Sequence, residues 1–154
     1  MTATIQVERI NKGVFDTELI LVDYRDDNPA TLPTLKIGTN WRKCRATGKK
    51  EFATLEEYTV EELPAYDGPR NPTVFGRSFH LSKQSDGEIY SVFVSDEQDR
   101  KTALASSRCN CKGHTYTGRC KHISSLLYLL RSEAIADPKD SPFGELAYSD
   151  ELGF

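Results

Sequence analysis

Apolar and polar residues alternate from near the start of the chain. Ile5 and Val7 stand among polar neighbours, Leu19 to Val22 is a short apolar run, and Leu35 and Ile37 alternate again. Period-two alternation marks a strand with one buried face, so residues 5–38 read as mostly strand. Asp26-Asp27-Asn28-Pro29 supplies a turn signal between the second and third of these segments. Further on, Val74 to Lys83 alternates around Phe79 and Leu81, Asp86-Gly87 offers a turn, and Ile89 to Ser95 is rich in aromatic and β-branched residues. That pattern predicts a β-hairpin. A polar break from Asp96 to Lys101 leads to a short third strand near Thr102 to Ser107. The period then changes: Ile123, Leu126, Leu127 and Leu130 fall at i, i+3, i+4 and i+7, one face of a helix, which Asp137-Pro138 stops. Thr59-x-x-Glu62 has capping-box spacing and marks a candidate helical turn.

These elements predict an α+β fold in three parts. Residues 1–70 form a strand-rich N-terminal half, residues 74–136 a smaller module ending in one amphipathic helix, and residues 137–154 an acidic tail. Asp67-Gly68-Pro69-Arg70-Asn71-Pro72, with two prolines and a glycine, is the linker candidate. The chain has 154 residues, 38% hydrophobic and 28% charged, which suits one folded domain or one domain with an appendage. Its longest apolar run, Leu126 to Leu130, is too short to span a bilayer. The first residues lack a basic segment followed by an apolar one, so the expected location is intracellular, in cytoplasm or nucleus, with no membrane partner.

Charge is unevenly spread. Residues 1–99 carry 12 basic and 17 acidic side chains, residues 100–131 carry seven basic and no acidic ones, and residues 132–154 carry Lys139 against six acids. Three of the four cysteines, Cys109, Cys111 and Cys120, lie in the basic block, and Cys44 stands apart. The string from Cys109 to His122 reads C-x-C-x8-C-x-H. In an extended segment residues i and i+2 point to one side, so Cys109 and Cys111 can aim two sulfurs at one point. Cys120 and His122 repeat that spacing just before the helix, and Gly113 and Gly118 let the connector double back. Three thiolates and one imidazole complete a closed tetrahedral Zn²⁺ site of the structural kind. Arg108, Lys112, Arg119 and Lys121 are expected to lower the thiol pKa values there. Disulfides fit less well, because three cysteines cannot all pair among themselves and the expected compartment is reducing. His114 reads as a polar loop residue beside a complete donor set, His80 as a side chain opposite Phe79 and Leu81, and Cys44 as a small core residue or exposed thiol.

The C-x-C and C-x-H pairs, the basic glycine-containing connector and the apolar helix after Cys120-Lys121-His122-Ile123 resemble the SWIM zinc finger. The resemblance covers residues 77–133 and implies a ββα-like zinc module, with Cys109, Cys111, Cys120 and His122 as ligands and a role in binding DNA or protein. A second resemblance competes. The spacing of the first three cysteines is also that of CDGSH-type [2Fe–2S] proteins, which use three cysteines and one histidine. In those proteins Asp-Gly follows the third cysteine and the histidine comes four positions on. Here Lys121 and His122 follow directly, and Gly118 and His114 stand where that motif has proline and a hydroxyl residue. Zinc is the first expectation and an iron–sulfur cluster the alternative.

No nucleophile–base pair, phosphate loop or carboxylate dyad is visible, so the expectation is a non-enzymatic protein. Two basic patches with aromatic residues suggest an accessory nucleic-acid-binding factor. One comprises Arg108, Lys112, Tyr116, Arg119 and Lys121. The other comprises Trp41, Arg42, Lys43 and Arg45 with Lys36, Lys49 and Lys50 around them. The plainer reading of the second patch is a solvated face paired with the six acids of residues 51–67. The first patch has no acid of its own nearby in sequence. The competing function is a protein-interaction adaptor for a recombinase, transposase or nuclease, in which zinc only shapes a docking surface.

Overall fold

The computed structural model describes residues 1–11, 14–43, 45–64, 75–112, 114 and 120–136. Seven strands follow one another in a single antiparallel sheet, each paired with the next in sequence. They are β1 (Thr2–Asn11), β2 (Val14–Arg25), β3 (Thr34–Lys43), β4 (Lys50–Leu63), β5 (Gly76–Lys83), β6 (Ile89–Ser95) and β7 (Arg108–Cys109). Helix α1 (Arg100–Ser106) lies between β6 and β7, and helix α2 (Lys121–Arg131) follows the cysteines. β4 pairs directly with β5, so the segments before and after residues 65–74 belong to one sheet. The expected linker, Cys44 and the tail from residue 137 lie outside the described residues.

Register decides what faces the core, because residues directly opposite each other share a face. Ile5 opposes Ile20, Val22 opposes Ile37, and Leu35 opposes both Tyr24 and Tyr58. Val60 opposes Leu81, and Phe79 opposes Val92. The sheet curls, so that α2 touches β6 and β7 at one edge and β1 and β2 at the other. Ile123, Leu126, Leu127 and Leu129 of α2 are buried between them. Each aliphatic side chain so covered contributes about 1.5–3 kcal/mol.

The hairpin stands where alternation places it, over β5 and β6. Gly87 takes a left-handed φ of 73° in its turn, and Asp86 Oδ1 accepts the Glu88 N–H at 2.9 Å. Gly76 opens β5 opposite Ser95, where a Cβ would run into the Val94 carbonyl oxygen. Three local expectations are corrected. Residues 102–107 are not a strand: α1 covers Arg100–Ser106, capped by Asp99, whose carboxylate accepts the Thr102 N–H at 3.0 Å. The Ala-Leu-Ala segment inside it favours helix, so a helix stands there besides α2. Thr59 to Glu62 is part of β4, because Tyr58 and Val60 are buried while Glu57 and Glu61 are exposed, a period of two. Finally, α2 ends at Arg131, before Asp137-Pro138. Glu133 turns left-handed at φ 64°, and the Ala134 N–H closes the end on the Leu129 carbonyl at 3.0 Å. No helix among the described residues is long and apolar enough to cross a membrane.

Candidate metal centre

β7 delivers the first ligand pair. Cys109 opposes Val92 on β6, and Asn110 ties the next residue down by accepting the Ser91 N–H at 3.0 Å through its side chain. Asn110 is exposed while its neighbours Cys109 and Cys111 are each 6% exposed, so both sulfurs turn inward from an extended segment. The second pair differs from expectation in one respect: Cys120 is extended but His122 already lies inside α2. Cys120 is the helix cap at φ −143° and ψ 158°, and its Sγ accepts the Ile123 N–H at 3.3 Å. His122, in the first helical turn, is 3% exposed.

The three Sγ atoms and one ring nitrogen lie within 4.8 Å of one another, all buried. A tetrahedral ion with bonds of about 2.0–2.3 Å needs donors about 3.5–3.8 Å apart. Cys109 Sγ and His122 Nδ1 are 3.8 Å apart. The cluster is therefore close enough to hold one metal ion, and Cys109, Cys111 and Cys120 are free thiols, not disulfides. His114 is outside the donor set. Its backbone N–H donates to Cys111 Sγ at 3.3 Å, and its buried Nδ1 has no hydrogen-bond partner.

Protons compete for this space. Hydrogen bonds from the Cys109 and Cys120 thiols hold the Cys111 thiol far below its ordinary value, against the opposing effect of burial. The same contact with Cys111 pushes Cys109 up to about 12, and hydrogen bonds to Cys109 and Cys111, with burial, raise Cys120. The sulfurs govern one another here, ahead of the cations flanking them in sequence. Thiol protons must leave before three thiolates can meet at one point, and a cation bound there would displace them.

Around the cluster stands a layer that the local motif does not contain. Tyr58 of β4 places its hydroxyl 3.1 Å from His122 Nε2 and donates to Glu56 Oε2 at 2.6 Å. Lys121 Nζ donates to the same Glu56 oxygen at 2.6 Å, and Lys83 Nζ lies 3.6 Å from its partner oxygen. Burial alone would raise the Glu56 carboxyl, but the Lys121 and Tyr58 hydrogen bonds and the two ammonium charges outweigh it and hold the group at about 2. Burial and the Glu56 contact push the Tyr58 hydroxyl well above its ordinary value. Tyr90 of β6 stacks on the His122 ring, centroids 4.6 Å apart.

Of the expected nucleic-acid residues, those described lie in two places, as the two patches of the sequence do. Arg108 and Lys112 are exposed beside the ligands, whereas Lys121 is bridged to Glu56, an acid supplied from β4 across the fold. Tyr116 and Arg119 lie outside the described residues. Trp41 and Arg42 occupy β3 opposite Phe52 and Glu51, with Lys43 and Arg45 exposed next to them. Phe52 is six residues along β4 from Tyr58, about 20 Å at the usual strand rise. Register also sets Lys36 opposite Glu57, so the acids of β4 do face the basic strand.

Fold and site define a class: a curled antiparallel sheet closed by a helix, with a buried three-cysteine, one-histidine cluster at its corner. Comparison with protein-family models finds no matching family, and neither curated proteins nor solved structures match the chain.

Proposed function

We propose that the protein is a non-enzymatic zinc protein, SWIM-like in its ligand pattern, whose metal centre positions a cationic surface for nucleic acid. The observation that carries this reading is the burial of four protein donors at one point with exposed Arg108 and Lys112 immediately beside two of them. Four protein ligands leave a tetrahedral ion no open position, so the metal serves structure and not turnover. Sulfur-rich donors suit zinc, and an iron–sulfur cluster remains the alternative occupant. The extended turn around Cys109 and Cys111 offers its cations to phosphate, and the residues between Cys111 and Cys120 add hydroxyl, aromatic and basic groups.

Fluorescence anisotropy against single- and double-stranded DNA and RNA, at three salt concentrations and with or without chelator, tests the reading. Neutralising about three phosphates gives a slope of about −2.7 in log K against log salt on duplex DNA. Binding that falls this way, vanishes on chelation and weakens in Arg108→Ala/Lys112→Ala supports it; absence of binding at low salt removes it. One observation favours the adaptor reading as a second. Of the seven cations in residues 100–131, Arg100 reaches the Gln6 carbonyl, Arg131 the Glu97 and Gln98 carbonyls, and Lys121 the Glu56 carboxylate. Those three cations serve the fold, and a protein partner would need fewer exposed charges than a phosphate backbone.

A further inference from the structure

We infer that Tyr58 and Glu56 on β4 are positioning residues of the metal centre, setting the tautomer and the ring orientation of His122. The inference rests on reading the four-residue cluster as a metal centre. Tyr58 has one hydroxyl proton and two neighbours for it: Glu56 Oε2 at 2.6 Å and His122 Nε2 at 3.1 Å. Glu56 also receives Lys121 at 2.6 Å and faces Lys83 at 3.6 Å, so it is a carboxylate with acceptor sites only. The hydroxyl proton goes to Glu56. Toward His122 the Tyr58 oxygen can then only accept, so Nε2 carries the ring proton. Nδ1 keeps its lone pair, 3.8 Å from Cys109 Sγ and among the three sulfurs.

The opposite tautomer fails on both sides of the ring. It would set two acceptors against each other at Tyr58 and aim an N–H at the place where the metal must sit. Orientation is fixed as well as protonation. Tyr58 meets the ring edge-on at 5.3 Å and 88°, while Tyr90 lies along it at 4.6 Å and 23°. Metal-bound histidines generally donate their second N–H to a carboxylate or carbonyl. Here the carboxylate is reached through one tyrosine hydroxyl, 64 residues away in sequence. β4 is thus part of the metal centre although it contributes no ligand.

Competition titration with zinc against a chromophoric chelator, together with ¹⁵N-histidine NMR, tests this in the full chain. The wild type is expected to take one zinc per chain, with Nδ1 shifted as a metal ligand and the Nε2 proton slow to exchange. Tyr58→Phe keeps the ring and removes only the hydroxyl. It is expected to weaken zinc affinity about ten- to hundredfold and to speed Nε2 proton exchange, as loss of an outer hydrogen bond does. Glu56→Gln is expected to move both readouts in the same sense by a smaller factor, and carries the test if Tyr58→Phe fails to fold. Coordination through Nε2, or affinity within twofold and unchanged exchange in these variants, overturns the inference while the metal reading stands. A wild type without stoichiometric zinc overturns both.

Discussion

Lys121 stands between Cys120 and His122 in sequence, and its ammonium donates to Glu56, which also accepts from Tyr58. One carboxylate therefore answers to the first turn of α2, to β4 and, through Lys83, to β5. Its pKa of about 2 lies below the ordinary value of 4.5. The unfolded chain thus binds the extra proton first, and the stabilisation is complete above about pH 4.5 and lost as pH falls toward 2. The stability difference between wild type and Lys121→Gln, from urea midpoints at saturating zinc, should be flat above pH 5 and shrink below 4.5. A difference that stays constant through that range would place the effect elsewhere. The four-residue cluster is legible in the sequence because all its members fall within a stretch of 14 residues, where spacing alone implies geometry. Glu56, Tyr58 and Tyr90 are not. Their roles depend on which face of β4 and β6 meets His122, and pairing register cannot be read from an acidic stretch.

At the scale of elements, the hairpin of β5 and β6 was readable because alternation, a turn pair and β-branched residues all agree over residues 76–95. The segment of α1 reads as a strand because seven residues hold too few turns for a helical period, and only the Asp99 cap distinguishes it. α2 is readable from its apolar face, though it ends at Arg131, earlier than Asp137-Pro138 implies. That end is made by Glu133, a non-glycine residue in the left-handed region. Glu133→Gly is expected to raise stability by up to about 1 kcal/mol in urea unfolding, since glycine pays little for that conformation. Leu126, at 0% exposure in the middle of α2, has no comparable slack. Leu126→Ala should cost about 2–5 kcal/mol by the same measurement. A loss under 1 kcal/mol would mean that α2 is not seated between the sheet edges.

For the whole molecule, the sequence predicts a strand-rich half, a smaller module beyond a linker and an acidic tail, and many topologies fit the strands of residues 1–70. What alternation could not show is that the meander continues from β4 into β5 and curls until both edges meet one helix. The consequence for metal removal follows. The ligand layout alone implies that Cys120→Ala would unfold residues 100–133 and spare the N-terminal strands. Because α2 also covers β1 and β2, hydrogen exchange in that variant should quicken at Ile20 and Val22 as well as at Ile123 to Leu129. Unchanged protection of β2 would show that the sheet holds without its helix.

The same contact has a meaning during biosynthesis. β1 and β2 leave the ribosome before α2, which covers them and comes about a hundred residues later, on the order of ten seconds at ordinary elongation rates. For that interval Ile20, Val22, Leu35 and Ile37 line the face of an incomplete sheet with nothing over it. A chain caught in that interval exposes apolar strand surface of the kind that aggregates, until α2 arrives to cover it.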